Sequence, residues 1–159
     1  MLALINLDGS NESFNALEYF ISKFSPERWE IIVLSVVDIR VIESFSSFHP
    51  ESGIFRPSPV LIGQIEEKME KEARDIVERG RRLAEERGFK AEAVVEKGSP
   101  HDKILEVARR RGVDLIVMGS RGQRRLLHRM LGSISSYVVN NSDIPVLVVP
   151  LQEKSQQQI

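Results

Sequence analysis

Two hydrophobic periods alternate along this chain, and that alternation restricts its fold more than any other feature. Short, largely apolar runs stand at residues 2–7 and in "WEIIVLSVVD", "KAEAVVEKG", "VDLIVMG" and "IPVLVVP". Runs that are apolar almost throughout belong to strands covered on both faces, and "KAEAVVEKG" alternates as a strand with one exposed face does. Between the runs the period becomes that of an amphipathic helix. Phe14, Leu17, Ile21 and Phe24 recur at three- and four-residue steps behind Ser10 or Asn11 as cap. Residues 60–87 read as one long helix: Ile62, Ile65, Met69, Ala73, Ile76, Gly80, Leu83 and Ala84 hold the period, and Gly88 is the stop. In "SPHDKILEVARRRG", Ser99 takes the cap, Pro100 the first helical position, Asp102 the first turn and Arg109 to Arg111 the last, before Gly112 as terminator. Residues 134–141 form the fourth helix.

Strands and helices in strict alternation imply an α/β fold, with a five-stranded parallel sheet and helices on both faces. Crossovers are right-handed, so successive units march in one direction until the order reverses. At the reversal two neighbouring strands send their following segments to opposite faces, and a crevice opens at their carboxyl ends. With the strand order 3-2-1-4-5, that crevice lies between the first and fourth strands. Asp8-Gly9 ends the first and Gly119 ends the fourth.

Two segments stand outside the alternation. Residues 39–59, with three Pro and several Ser, read as an irregular loop, either functional or a variable surface excursion. Residues 151–159 read as a polar tail that frays, which leaves 1–150 as a single domain. A length of 159 residues suits one domain with a proper core. The formal charge of −1 argues against a surface built to hold nucleic acid, and with no cysteine there is no disulfide framework or thiolate metal site. No apolar run is long enough for a signal or membrane span, so the expected location is the cytoplasm, away from membranes.

The stretch "MGSRGQRRLLHRMLGSISSYVV" carries the most chemistry. Glycine stands at 119, 122 and 132, where it permits positive φ or lets a ligand approach bare main chain. Gly132-Ser133 lies where the fourth helix begins, so free amides and the positive helix end face whatever binds there. Ser133 and Ser135 supply hydroxyls, and Arg124, Arg125, His128 and Arg129 lie between the second and third glycines. The pattern is that of a phosphate cradle, though neither a P-loop nor a Gly-x-Gly-x-x-Gly dinucleotide turn. A tight turn plus a helix cap would explain three glycines equally well.

Spacing and position together resemble the nucleotide-binding signature of the universal stress protein family: Gly119-x2-Gly122-x9-Gly132-Ser133 after the fourth strand, followed by a helix and "IPVLVVP". The resemblance runs from "INLDGSNES" to Pro150, with Asn6 where many members have proline. It implies a Rossmann-like fold of the adenine nucleotide alpha-hydrolase kind, with ATP or another adenine nucleotide at the switch point. Asp8 would bond the ribose hydroxyls, and the main chain of Val36 would meet the adenine edge. Met118 and Gly119 would line base and ribose. Arg121, Gly122, Gly132, Ser133 and Ser135 would surround the phosphates, with an amide from Ile134. A Mg²⁺ arriving with the phosphates fits this picture, whereas no protein-held metal site is expected. The resemblance also implies a homodimer through antiparallel pairing of the strand at 145–150.

Several of these residues also have plainer uses. Asp8 could merely cap the first helix, and the arginine run at 109–111 could be a solvated helix end suited to the dipole. His101 is expected exposed in a first turn, and His49 falls in the irregular segment. For function, a nucleotide-binding regulatory protein with little turnover is favoured. Gln123 is the one obvious water-orienting group for a slow ATPase or nucleotidyl-transferring enzyme, and a dimeric interaction module with an empty crevice is the third alternative.

Overall fold

The computed structural model describes residues 1–46, 57–120 and 130–151. Five strands form one sheet in the order β3-β2-β1-β4-β5. They are β1 (Leu2–Asn6), β2 (Glu30–Asp38), β3 (Lys90–Gly98), β4 (Leu115–Gly119) and β5 (Val146–Val149). Every pairing is parallel: Leu4 stands opposite Ile32 on one side and Ile116 on the other, and β5 joins β4 with Val117 opposite Leu147.

The helices divide between the two faces. On one face α1 (Asn11–Lys23) and the long α3 (Pro59–Glu86) cover the sheet, burying Leu17, Phe20 and Val77 against Ile5, Val33 and Val117. On the other, α4 (Pro100–Arg111) and α5 (Ser133–Asn141) bury Ile104, Val107 and Val138 against Leu4, Ile32 and Ile116. This explains the apolar run of β1, whose Ala3, Leu4 and Ile5 are all fully buried. It also locates the reversal: α1 leaves the end of β1 toward one face, and the chain beyond β4 returns as α5 on the other.

Most local signals act as their chemistry requires, although Ser99 at the start of α4 makes no side-chain cap bond. Ser10 caps α1, its side chain accepting from the Ser13 amide, and Ser58 does the same for Leu61 ahead of Pro59. Gly112 ends α4 in the left-handed conformation at φ 59°. Gly80 lets α3 lie close on the sheet, because a Cβ there would meet Leu7 Cδ1 at 2.5 Å and Val33 Cγ1 at 2.9 Å.

One expectation is corrected. Within 39–59, residues Ile39–Ser46 form a helix, α2. Asp38 starts it by accepting from the Arg40 amide at 3.1 Å, and Ile42 buries its side chain with Val37 and Ala73. A single apolar anchor spaced for one helical turn is a weak signal beside the Ser- and Pro-rich stretch that follows. Residues 47–56, including His49, lie outside the described residues.

Candidate functional site

At the end of β1 the chain turns through Gly9 at φ 85° into α1. Asp8 Oδ1 accepts from the Ser10 amide at 2.9 Å and from the Ser10 hydroxyl, while Ser10 Oγ accepts from the Ser13 amide at 3.1 Å. Ser13 Oγ donates to the Ser10 carbonyl at 2.9 Å. One oxygen of the carboxylate thus orders the helix cap, and this holds the half-buried side chain at the start of α1.

Gly119, the last residue of β4, lies directly against the start of α1. A Cβ built on it would stand 2.9 Å from both the Glu12 carbonyl carbon and oxygen, closer than side chains approach. The end of β4 and the first turn of α1, more than a hundred residues apart in sequence, therefore meet. Glu12 itself is buried at 5 % exposure, a buried acidic residue that the sequence did not single out. Its first-turn position is a common dipole-suited one; only the close approach of Gly119 gives it meaning.

The other wall is the start of α5. Gly132 is its N-cap at φ −63° and ψ 165°, a conformation any residue adopts, with no side-chain cap bond. Glycine is therefore not needed here for positive φ; it leaves the cap bare. The first bond of the helix runs from the Ser136 amide to the Gly132 carbonyl at 2.9 Å, which leaves the amides of Ser133, Ile134 and Ser135 without intrahelical partners. Such a helix end attracts an anion with roughly 0.3–1 kcal/mol, up to about 2 in partly buried geometry.

Ser120 joins these walls. Its carbonyl accepts from the Gly132 amide at 2.8 Å and from Ser135 Oγ at 2.8 Å, and its own amide donates to the Val149 carbonyl at 3.2 Å. Ser120 Oγ is buried and has no hydrogen-bond partner among the described residues. The Ser135 hydroxyl, also within 3.1 Å of the Gly132 carbonyl, is thus committed to main chain. Its hydrogen holds the helix in place rather than being free for a phosphate, whereas Ser133 is exposed at the helix start.

The remaining expected residues divide by location. Met118 is buried at 3 % exposure in the core under α4 and α5, so its side chain is taken up by packing. Val36 lies near the end of β2. The Leu34 carbonyl accepts from the Leu7 amide at 2.8 Å, and strand alternation directs the Val36 amide and carbonyl to the same side, where β1 has already turned away. Arg121 and Gly122 lie outside the described residues, as do Gln123, Arg124, Arg125, His128 and Arg129.

A charged rim adjoins the ends of β2 and β3. Arg40 donates through Nε to Asp38 Oδ1 at 2.8 Å and through a terminal nitrogen to Oδ2 at 2.6 Å. This guanidinium holds the Asp38 carboxyl below the usual carboxylate range. Tyr137 donates to Asp102 Oδ1 at 3.1 Å, which pushes the phenol above its ordinary value. His101 packs edge-on against Tyr137 at 5.2 Å and is half-buried rather than exposed. The arginine run is also accounted for: Arg109 pairs with Asp143, Arg110 with Glu96 and Glu106, and Arg111 with Glu92. Among the described residues no group of three or more His, Asp or Glu stands where it could hold a metal.

Comparison with known proteins agrees with this fold. The model of the Universal stress protein family matches residues 3–150. Universal stress protein YxiE of Bacillus subtilis is 35 % identical over 146 residues, which span 92 % of this chain and 96 % of that protein. Universal stress protein MJ0577 of Methanocaldococcus jannaschii is 34 % identical over 123 residues, 76 % of each chain. Its solved structure superposes with a TM-score of 0.78, at 30 % identity, covering 96 % of this chain and 97 % of that one. At 16 % identity, and so as a likeness of fold, an Arabidopsis thaliana family protein solved with AMP bound superposes at a TM-score of 0.67, covering 96 % of this chain and 92 % of that one.

Proposed function

This chain belongs to the universal stress protein family, and from that premise we propose that it binds an adenine nucleotide, ATP above all, as a regulatory protein of the cytoplasm with little intrinsic hydrolysis. The observation that carries the reading is the meeting of Gly119 with the first turn of α1, opposite the uncapped start of α5. On this proposal a carboxylate suited to a ribose and bare amides suited to phosphates line one crevice. The AMP carried by an Arabidopsis fold relative supports the ligand class.

In this reading Asp8 accepts from the ribose hydroxyls, and the Val36 main chain reads the base edge. Met118 and Gly119 form the adjoining wall through their main chain. Ser133, with the amides of Ile134 and Ser135 and the bare Gly132, receives the phosphates. Arg121 and Gly122 complete that end, and a Mg²⁺ travels with the phosphates. Ser135 adds an amide and keeps its hydroxyl for Ser120.

Isothermal titration with ATP tests the proposal: the parent protein should bind, and Gly132→Arg should abolish the heat by filling the cradle. No heat from the parent would favour the empty interaction module instead. Phosphate release faster than about 1 s⁻¹, the lower range of phosphoryl-transfer enzymes, and lost in Gly132→Arg, would make the protein an enzyme.

The same reading includes a homodimer through β5. The two sheet edges differ in chemistry. On β3, Glu92, Glu96 and Lys97 are tied to Arg111, Arg110 and Glu66, a charged edge that resists pairing. On β5 the strand is Val-Leu-Val-Val between prolines 145 and 150. The carbonyls of Pro145 and Val149 face β4, bonded by the amides of Ile116 and Ser120. By alternation Val146 and Val148 direct their main-chain groups outward, so a two-fold axis at Leu147 pairs each with the other in a second copy. Val148→Lys should yield monomers in sedimentation; an unchanged dimer would place the interface elsewhere.

A further inference from the structure

The anion cradle and the β5 edge share one peptide unit, and we infer that pairing of β5 with a second copy and occupation of the cradle by a nucleotide strengthen each other through Ser120. The inference rests on the nucleotide and dimer readings above and adds a regulatory link between them.

The amides at the start of α5 attract an anion only while they hold one direction. What holds them is the Ser120 carbonyl, which receives both the Gly132 amide and the Ser135 hydroxyl at 2.8 Å. Ser120 lies beyond the last residue of β4. Its amide is anchored to the Val149 carbonyl at 3.2 Å, the long end of the ordinary range. Val149 in turn ends a strand of four residues that is bonded to the sheet on one side only. Beyond it the Pro150 carbonyl accepts from Asn15 of α1 at 3.3 Å, another long bond. The anchor of the cradle is therefore the least supported strand of the sheet.

A second copy paired on the outer edge makes β5 an interior strand and removes its freedom to fray. An anion on the α5 amides restrains the same chain from the opposite end. Each event orders Ser120, so the second to occur has less ordering left to do, and the benefit is mutual by thermodynamic necessity. The cradle side of Ser120 is served by Ser135, whose hydroxyl bond is the one side-chain strand of the link. The β5 side is entirely main chain.

Anisotropy of a fluorescent ATP analogue, titrated at protein concentrations below and above the dimer midpoint, tests this with the native chain. The dimer should bind the analogue at least about 5-fold more tightly than the monomer, the lower bound of ordinary coupling. Sedimentation with saturating ATP should show dimerisation strengthened by the same factor. Ser135→Ala should reduce that factor toward one. Equal affinities of monomer and dimer would overturn the coupling and leave both underlying readings standing. An undiminished factor in Ser135→Ala would overturn the part given to the Ser135 hydroxyl, since the Gly132 amide still bonds the Ser120 carbonyl in that variant. No binding of the analogue at any protein concentration, or a chain that never dimerises, would instead remove the reading on which the inference rests.

Discussion

At the scale of single residues, Asp8 serves the Ser10 cap through Oδ1, and its proposed duty toward a ribose can be tested apart from that cap. The two duties can be separated. Asp8→Asn keeps an oxygen for Ser10 and removes the charge, so its stability should stay within about 0.5 kcal/mol of the parent while nucleotide affinity falls. Asp8→Ala should lose about 0.5–1 kcal/mol as well, the ordinary value of a helix-start bond. Urea unfolding followed through Trp29, the one tryptophan, measures the first quantity and titration calorimetry the second. Gly119→Ala is the stronger perturbation. Its methyl group would stand 2.9 Å from the Glu12 main chain, which cannot rotate away as a side chain end can. Displacement of α1 should cost about 1–3 kcal/mol and weaken ATP binding, both absent if the helix start yields freely. The glycine at 119 was visible in the sequence, but its physical reason was not: close packing of main chain on main chain, with no positive φ at that position.

Elements show a similar division. The limits of α1 and α4 follow from signals within a few residues of their ends, Ser10, Pro100 and Gly112, and were legible for that reason, whereas Ser58-Pro59, which start α3, were read as part of the irregular loop. The start of α2 was not, since Ile42 becomes an anchor only when Ala73 of α3 arrives beside it. Gly80 reads in the sequence only as one of the residues that hold the helical period of α3. The structure gives it a purpose, contact with Leu7 and Val33. Gly80→Ala should gain about 0.5–1 kcal/mol of helix preference and lose about 1–3 kcal/mol to overpacking. The net result is destabilisation, readable as a lower urea midpoint. A stabilised variant would mean that the Leu7 and Val33 side chains rearrange at no cost.

For the whole molecule, charge is organised rather than merely balanced. Arg111 holds the Glu92 carboxyl below its ordinary range, Lys97 does so for Glu70, and Arg40 for Asp38. A carboxyl whose folded pKa is depressed contributes stability above its unfolded value, and that contribution is lost as pH falls through the folded value. Stability should therefore decline from about pH 4.5 downward, around the unfolded carboxyl values. Urea midpoints taken between pH 7 and pH 3 check this, and a flat profile would show the pairs to be fully screened by solvent. Tyr137 works in the opposite direction: its folded pKa is raised by Asp102, so its contribution is lost as pH rises through that value. The same pairing accounts for the arginine run at 109–111, which fastens α4 to β3 and to the loop after α5.

By itself the sequence determined the alternation of strands and helices, the order of the sheet through the family resemblance, most helix ends, and the glycine spacing of the candidate cradle. These are properties of period and local bonding, complete within a few residues. Only the tertiary structure decided that Gly119 rests on Glu12, that the Ser135 hydroxyl is spent on Ser120, that His101 leans on Tyr137, and that Ser120 links the cradle to β5. Each of those depends on groups brought together by packing from distant parts of the chain, and neither hydrophobic period nor helix-end chemistry carries information about such meetings.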